Sequence, residues 1–285
     1  MATLLVLLII MCIISLRYGA VEISPSEMWS ALRKIGSPAN TYSLHEQIFI
    51  TIRLPRIVLG LIAGSALGVG GTLMQGLFRN PIVEPGLVGT SSGAAFGAAI
   101  CFVFGSWFHF QSNTWTLPLA ACLGGILATV LVFTLLRHHT TGPNSMLILL
   151  LTGIAINAFF LSGVGFLSYL ARDPQARSIV FWNLGTLSGA SWQNVSITGS
   201  ITLLCILLSF PMAKSLNALM LGEEDAYFNG VSIRRTRLKV MSINVMMVAV
   251  VTAFTGVISF VGLIVPHILR PVSYTHLTLP TNREV

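Results

Sequence analysis

Charge is what this sequence has least of. Only 9% of its 285 residues are Asp, Glu, Lys or Arg, while 54% are hydrophobic. A water-soluble domain carries about 25% charged residues, so a soluble core is excluded. The composition is that of an all-α, polytopic membrane protein. Acids are scarcer than bases, 9 against 16, which leaves a net charge of +7. A basic balance can signal nucleic acid, but these bases sit in short loops between apolar runs, as membrane-flanking cations do. Lipid is the expected environment, and nucleic acid is not an expected partner.

Several chemical signatures are missing too. No glycine-rich phosphate loop is present, because none of Lys34, Lys214 and Lys239 follows a glycine. The chain therefore cannot hold ATP in that way, and energy for any pumping must come from a partner. The cysteines Cys12, Cys101, Cys122 and Cys205 all lie inside apolar runs without paired spacing. They read as packing residues, neither disulfides nor metal ligands. His45-Glu46 opens an HExxH pattern, but Phe49 stands where its second His belongs. Gly89-Thr90-Ser91-Ser92-Gly93 fits a nucleophile elbow, yet it opens an apolar run with no strand before it. His138-His139 reads as a solvated pair in a basic loop, and His267 as a cap or packing residue. No catalytic residue, cofactor or metal is expected.

What is present is a series of apolar runs. The first is Ala2 to Leu16, with no positive segment before it and no small-residue cleavage site after it, so it reads as a span and not a signal peptide. Ser24-Pro25-Ser26-Glu27 then has the form of a helix start, leading a short amphipathic helix to about Ile35, with Gly36 to Tyr42 as loop. The second span runs from about Leu54 to Leu77. Further spans are expected near 88–107, 117–136, 145–169, 192–212, 240–256 and 258–269, eight in all. Each is near the roughly 20 residues that cross a bilayer except the last, which is short. Gly256 before it suggests a broken span, tolerated where protein covers its backbone.

The stretch from Arg53 to Gly93 organises the rest. Gly60, Gly64 and Gly68 fall four apart, a helix face without side chains that lets another backbone approach. Arg53 and Arg56 are three apart and share a face at one membrane edge. Interfacial anchoring alone would account for them, as a Pro-rich interfacial turn would for Arg79-Asn80-Pro81 and Glu84-Pro85-Gly86. The cluster Arg234 to Lys239 directly before a span is the best argument that the N-terminus is inside.

Lys214 to Lys239 is the largest polar stretch between spans. Leu216, Leu219 and Met220 give an apolar helix face, Gly222 breaks the helix, and Glu223, Glu224 and Asp225 open a second short helix that Gly230 ends. Three adjacent acids would be repelled by an anionic inner leaflet, so docking into a protein groove suits this pair better than lying on lipid.

The motifs RLPR, MQG, RNP, EPG and SSG, in that order from Arg53 to Gly93, resemble the FecCD/BtuC family. These are membrane subunits of ABC importers for iron-siderophore, haem and cobalamin. The resemblance runs from about Val21 to Arg270. It implies a BtuC-like helical permease of the bacterial inner (plasma) membrane, crossing it many times and forming a homodimer around one path. It implies cytoplasmic ABC ATPase subunits and a periplasmic substrate-binding protein as partners, and no catalysis by this chain. By the same resemblance, Arg53 and Arg56 dock acids on the binding protein. The matched positions Leu216, Asn217, Leu219, Leu221, Gly222, Glu223, Glu224, Ala226 and Gly230 form the element that sits in the ATPase cleft, and the Arg79–Gly86 turn could join a cytoplasmic gate. The segment Phe181 to Trp192, with its flanking sequences, is most like the haem branch. An ion-coupled secondary transporter is the main alternative. The absence of Asp and Glu from the middle of every expected span counts against it. An intramembrane enzyme would need a nucleophile–base pair or a metal cluster.

Residues 1–270 read as one transmembrane permease domain, and 271–285 (PVSYTHLTLPTNREV) as a polar, non-native tail. The family pattern continues for two more spans, so about eight of ten are expected here.

Overall fold

A computed structural model describes residues 2–36, 41–105, 115–136 and 145–274. Among the described residues every regular element is helical. The first is α1 (Ala2–Arg17), followed by the short α2 (Pro25–Arg33) and α3 (Leu44–Ile48). A π-helical turn, Phe49–Arg53, joins α3 to α4 (Leu54–Phe78). Next come α5 (Thr90–Phe104), α6 (Thr116–Leu136), α7 (Ser145–Leu170), α8 (Asp173–Asn183) and α9 (Trp192–Ser209). Last among the described residues come the pair α10 (Met212–Leu221) and α11 (Glu223–Phe228), then α12 (Ile233–Thr255) and α13 (Val261–Tyr274).

Five stretches are long and apolar enough to cross a membrane, and α1, α5 and α13 supply three shorter apolar helices. These are the eight expected segments. Two boundaries differ most from expectation. The second span is the inner part of a continuous helical rod from Leu44 to Phe78, and α12 begins at Ile233 and not near 240. Both extensions are polar-rich helix that hydropathy does not mark. His138 and His139 lie outside the described residues, as does the tail beyond Tyr274; the tail's first residues continue α13.

The helix start at Ser24 forms as its residues dictate. The Ser24 hydroxyl accepts from the Glu27 N–H, and the Glu27 carboxylate accepts from the Ser24 N–H, a reciprocal capping box. Ser43 and Glu46 repeat the device at α3.

At the centre, α12 packs against α4, α5, α6 and α9. It contributes Val240, Met241, Met247 and Val251 to the main core, with Leu73, Met74 and Leu77 of α4. Backbones meet at two crossings. A Cβ on Gly71 would strike the Gly262 carbonyl of α13, and Cβ atoms on Gly93 and Gly97 would strike the carbonyls of Gly124 and Ala120 on α6. The expected stripe sits elsewhere. Gly60 and Gly68 face side chains of Leu187 and Val265, and Gly64 faces open space. The four-residue spacing marked a side-chain-free face, but the close approach is at Gly71, three residues past the end of that stripe.

Candidate functional site

With the N-terminus taken as inside, three places carry polar structure: the outer end of α4, a pocket between broken helices, and the inner helix pair. At the outer end, short bonds stitch α2 to α3. Lys34 Nζ lies 2.8 Å from both Glu46 carboxylate oxygens, Ser30 Oγ donates to Glu46 Oε1 at 2.6 Å, and His45 Nδ1 is 2.7 Å from Glu27 Oε1. The Ser24 N–H, then the Ser24 hydroxyl and His45, hold the Glu27 carboxyl below its ordinary value. Trp192 Nε1 of α9 donates to the Ile50 carbonyl in the π turn at 3.0 Å.

Arg53 and Arg56 part company here. Arg53 Nη1 donates to the carbonyls of Leu16 at 2.5 Å and Arg17 at 2.7 Å, and Nη2 donates to the Val21 carbonyl. These carbonyls close the C-terminal end of α1 and its exit, where a cation is favourable. Arg56 is exposed and makes no hydrogen bond or ion pair among the described residues. The spacing of the two arginines was legible in the sequence, but the partner of Arg53, 36 residues away, was not.

At the inner end, Gly222 (φ 151°) turns the chain between α10 and α11, and Gly230 (φ 76°) ends α11. Leu216, Leu219 and Ala226 are buried against the body of the protein. Asn217, Leu221, Glu224 and Asp225 are exposed, as are Met220, Tyr227 and Phe228. Met220 therefore belongs to the outward face, not to the Leu216–Leu219 face expected from spacing. Glu223 Oε1 lies 3.7 Å from Arg79 Nη2 and 3.6 Å from Arg237 Nη2. It thus touches both the left-handed residue that ends α4 (Arg79, φ 51°) and a buried arginine on α12.

Between these ends lies the feature the sequence hid best. The 80–89 segment does not stay at the interface as the Pro-rich turn was expected to. It folds back along α4, so that Pro85 packs on Gly70. Gly70 lies eight residues before Phe78, a depth of about 12 Å at 1.5 Å per residue. The Pro85 carbonyl accepts from Asn244 Nδ2 of α12 at 2.9 Å, and Glu84 Oε1 accepts from the Phe260 N–H at 2.9 Å. Phe260 is held at φ 67°, in the left-handed region rarely used by a bulky residue. A second non-helical stretch, 256–260, thus faces the first, and Pro85 also presses on Gly262. Non-helical backbone at this depth is tolerated where protein covers it or a cavity adjoins it. Here a cavity of about 370 Å³ is lined by Glu84, Ser91, Asn157, Asn183 and Ser259 among others. The signal that could have found it was EPG itself, an acid beside two helix breakers between apolar runs.

No group of three or more His, Cys, Asp or Glu side chains that could hold a metal occurs among the described residues.

Comparison with known proteins agrees with this architecture. Over 267 residues the chain is 36% identical to the hemin transport system permease HmuU of Yersinia pestis, covering 94% of this chain and 77% of that one. It is 31% identical to the ferric enterobactin transport system permease FepG of Escherichia coli, covering 94% and 79%. A solved inward-facing conformation of a metal-chelate-type ABC transporter superposes with a TM-score of 0.80 at 30% identity, over 95% of this chain and 80% of that one. The profile of the FecCD transport family matches residues 7–280, ten residues past Arg270. This is a multi-pass helical permease of the inner membrane, of the ABC-importer type, and the chain belongs to the FecCD transport family.

Proposed function

We propose that this chain is the membrane-spanning, non-catalytic subunit of an ATP-driven importer for an iron chelate, with haem as the first substrate to test. The single observation that carries the ATP-driven part is the α10–α11 pair. Its inner face is buried and its outer face presents acids beside the exposed aromatics Tyr227 and Phe228. That is a small amphipathic knob suited to a protein cleft. Asn217, Leu221, Gly222, Glu224 and Gly230 form its rim, with Leu216, Leu219 and Ala226 as its footing and Glu223 tying it to α4 and α12. The lack of a phosphate loop in the chain supports separate ATPase subunits.

Two copies enclose one path in this reading, and a periplasmic binding protein delivers substrate to the outer end. Arg56 is free to meet an acid on that protein. Arg53 contributes to the same docking face chiefly by fixing α1 beside it. Rim charges of this kind orient and steer more than they add affinity. The choice of haem rests on the HmuU similarity and on the Phe181–Trp192 segment, which forms the end of α8, its exit and the first residue of α9.

The test is uptake by proteoliposomes holding this permease with its ATPase and binding protein. Haem accumulation that requires ATP is expected. Uptake of a ferric siderophore or cobalamin in its place would correct the substrate. Uptake driven by a proton or sodium gradient without the ATPase would overturn the importer reading in favour of a secondary transporter.

A further inference from the structure

Glu84 is an acid well inside the inner end of α4, and the proposed function gives it no task. An ionisable group at such depth is costly and is kept for a function. Its surroundings point to one. The Glu84 carboxylate is the acceptor for the N–H of Phe260, the residue at φ 67° that directly precedes α13. Beside it, Pro85 wedges between Gly70 of α4 and Gly262 of α13, and its carbonyl is held by Asn244 of α12. The two non-helical stretches are therefore fastened to each other as well as to the helices around them.

The same segment starts at Arg79, and Arg79 faces Glu223 at the base of α11. Covalent chain and polar contacts thus run without a gap from the helix pair exposed on the inner side to the start of α13 and the pocket wall at Ser259. Glu84 is the step in that line where contact passes from one non-helical stretch to the other. The Glu84 link is one hydrogen bond, so it can be cut while the Pro85–Gly262 packing stays in place.

We propose that Glu84 is a positioning residue for transport, which through its bond to the Phe260 N–H makes the 256–260 stretch and α13 follow the movement of α10–α11. This rests on the importer reading. The carboxylate acts as an acceptor at a fixed place, so an amide of the same shape serves. It touches no substrate in this role, and the pocket beside it changes shape because its wall moves.

The experiment compares Glu84→Ala and Glu84→Gln in the assembled complex with its ATPase and binding protein. For Glu84→Ala, ATP hydrolysis within about twofold of the parent and uptake at least tenfold lower are expected. Glu84→Gln keeps an oxygen for the Phe260 N–H and is expected to retain uptake within threefold. A second readout is maleimide labelling of Ser259→Cys, which should change with ATP in the parent background and stay constant with Glu84→Ala. Should Glu84→Ala fail to assemble, Glu84→Ala with Phe260→Gly removes the strained φ while leaving the bond absent. That double variant is expected to assemble and still hydrolyse ATP without uptake. Uptake within twofold of the parent by Glu84→Ala or by the double variant overturns the proposal. So does a Glu84→Gln loss as deep as that of Glu84→Ala, which would assign the role to charge. Failure of the unsubstituted complex to couple ATP to uptake would instead strike the importer reading itself.

Discussion

Helices α12 and α9 are both spans, yet within this chain they live in different surroundings. Of the most apolar stretch of α12, 67% is buried, against 28% for α9. Apolarity does not set burial, for the spans of α6 and α7 are more apolar than α12 and are no more buried than α9. The difference between α12 and α9 lies in where their polar atoms go. In α9, Ser196 and Ser200 donate to carbonyls one turn back in their own helix, at 2.9 and 3.0 Å. Trp192 at the first residue of α9 bonds the Ile50 carbonyl, but these hydroxyls are satisfied within the helix, which can face lipid. In α12, Asn244 is fully buried and donates to Pro85 on another segment, and buried Arg237 faces Glu223. A helix whose polar groups reach other segments must sit where those segments are.

The sharpest way to break the contrast is at the glycine crossings beside α12. Gly71→Leu places a side chain where the Gly262 carbonyl of α13 already stands, and backbone cannot give way as a side chain can. Loss of the folded subunit is expected, with monodisperse protein in detergent falling to under about a tenth of the parent, since the α4–α13 crossing cannot form. Near-normal yield would mean that α13 is free to sit elsewhere.

A second test lies on α12 itself. Asn244→Ala leaves the Pro85 carbonyl buried without a donor, for a cost of about 1–3 kcal/mol. Ser196→Ala on α9 removes only a bond within one helix and is expected to change stability by less than about 0.5 kcal/mol. Thermal unfolding in detergent compares them directly. Equal shifts would show that reach to another segment does not distinguish the two helices.

This contrast also separates what the sequence displayed from what it hid. The eight apolar segments were legible because hydrocarbon demands long runs without charge, and the helix start at Ser24 because its capping residues are three apart. The α10–α11 pair was legible from Gly222 and the acids after it. Hidden features all depend on partners distant along the chain. Arg53 meets Arg17, Asn244 meets Pro85, Glu84 meets Phe260, and Gly71 meets Gly262. Local spacing can say that a face is smooth or that a turn is due. It cannot say which smooth face is covered, so four-residue spacing marks Gly64 and not Gly71.

A smaller effect is expected at the outer end, where Arg53 holds α1 and Arg56 has no bonded partner among the described residues. Arg53→Ala uncaps three carbonyls, at a cost of about 1–2 kcal/mol confined to α1 and its exit. Faster tryptic cleavage after Arg17 reads it out. Arg56→Ala should leave that cleavage rate unchanged and reduce binding-protein association in a salt-dependent way. Reversal of the two results would exchange the roles given to them.

The smallest expected effect is at Gly64, and it is informative because it is small. Within one chain a Cβ there meets nothing within 4 Å, so Gly64→Ala should be neutral or stabilise slightly by improving helix propensity, by less than about 1 kcal/mol. That expectation holds only while open space in the single chain is lipid in the membrane. A second copy packed backbone-to-backbone on this face would turn the same methyl group into a clash. Stability of the isolated subunit would then be unchanged while the dimer dissociated. Measured by light scattering across protein concentration, an unaltered dimer places the second copy on another face of the bundle. A selective loss of dimer returns the Gly60–Gly68 stripe to the packing role its spacing suggested, between copies and not within one.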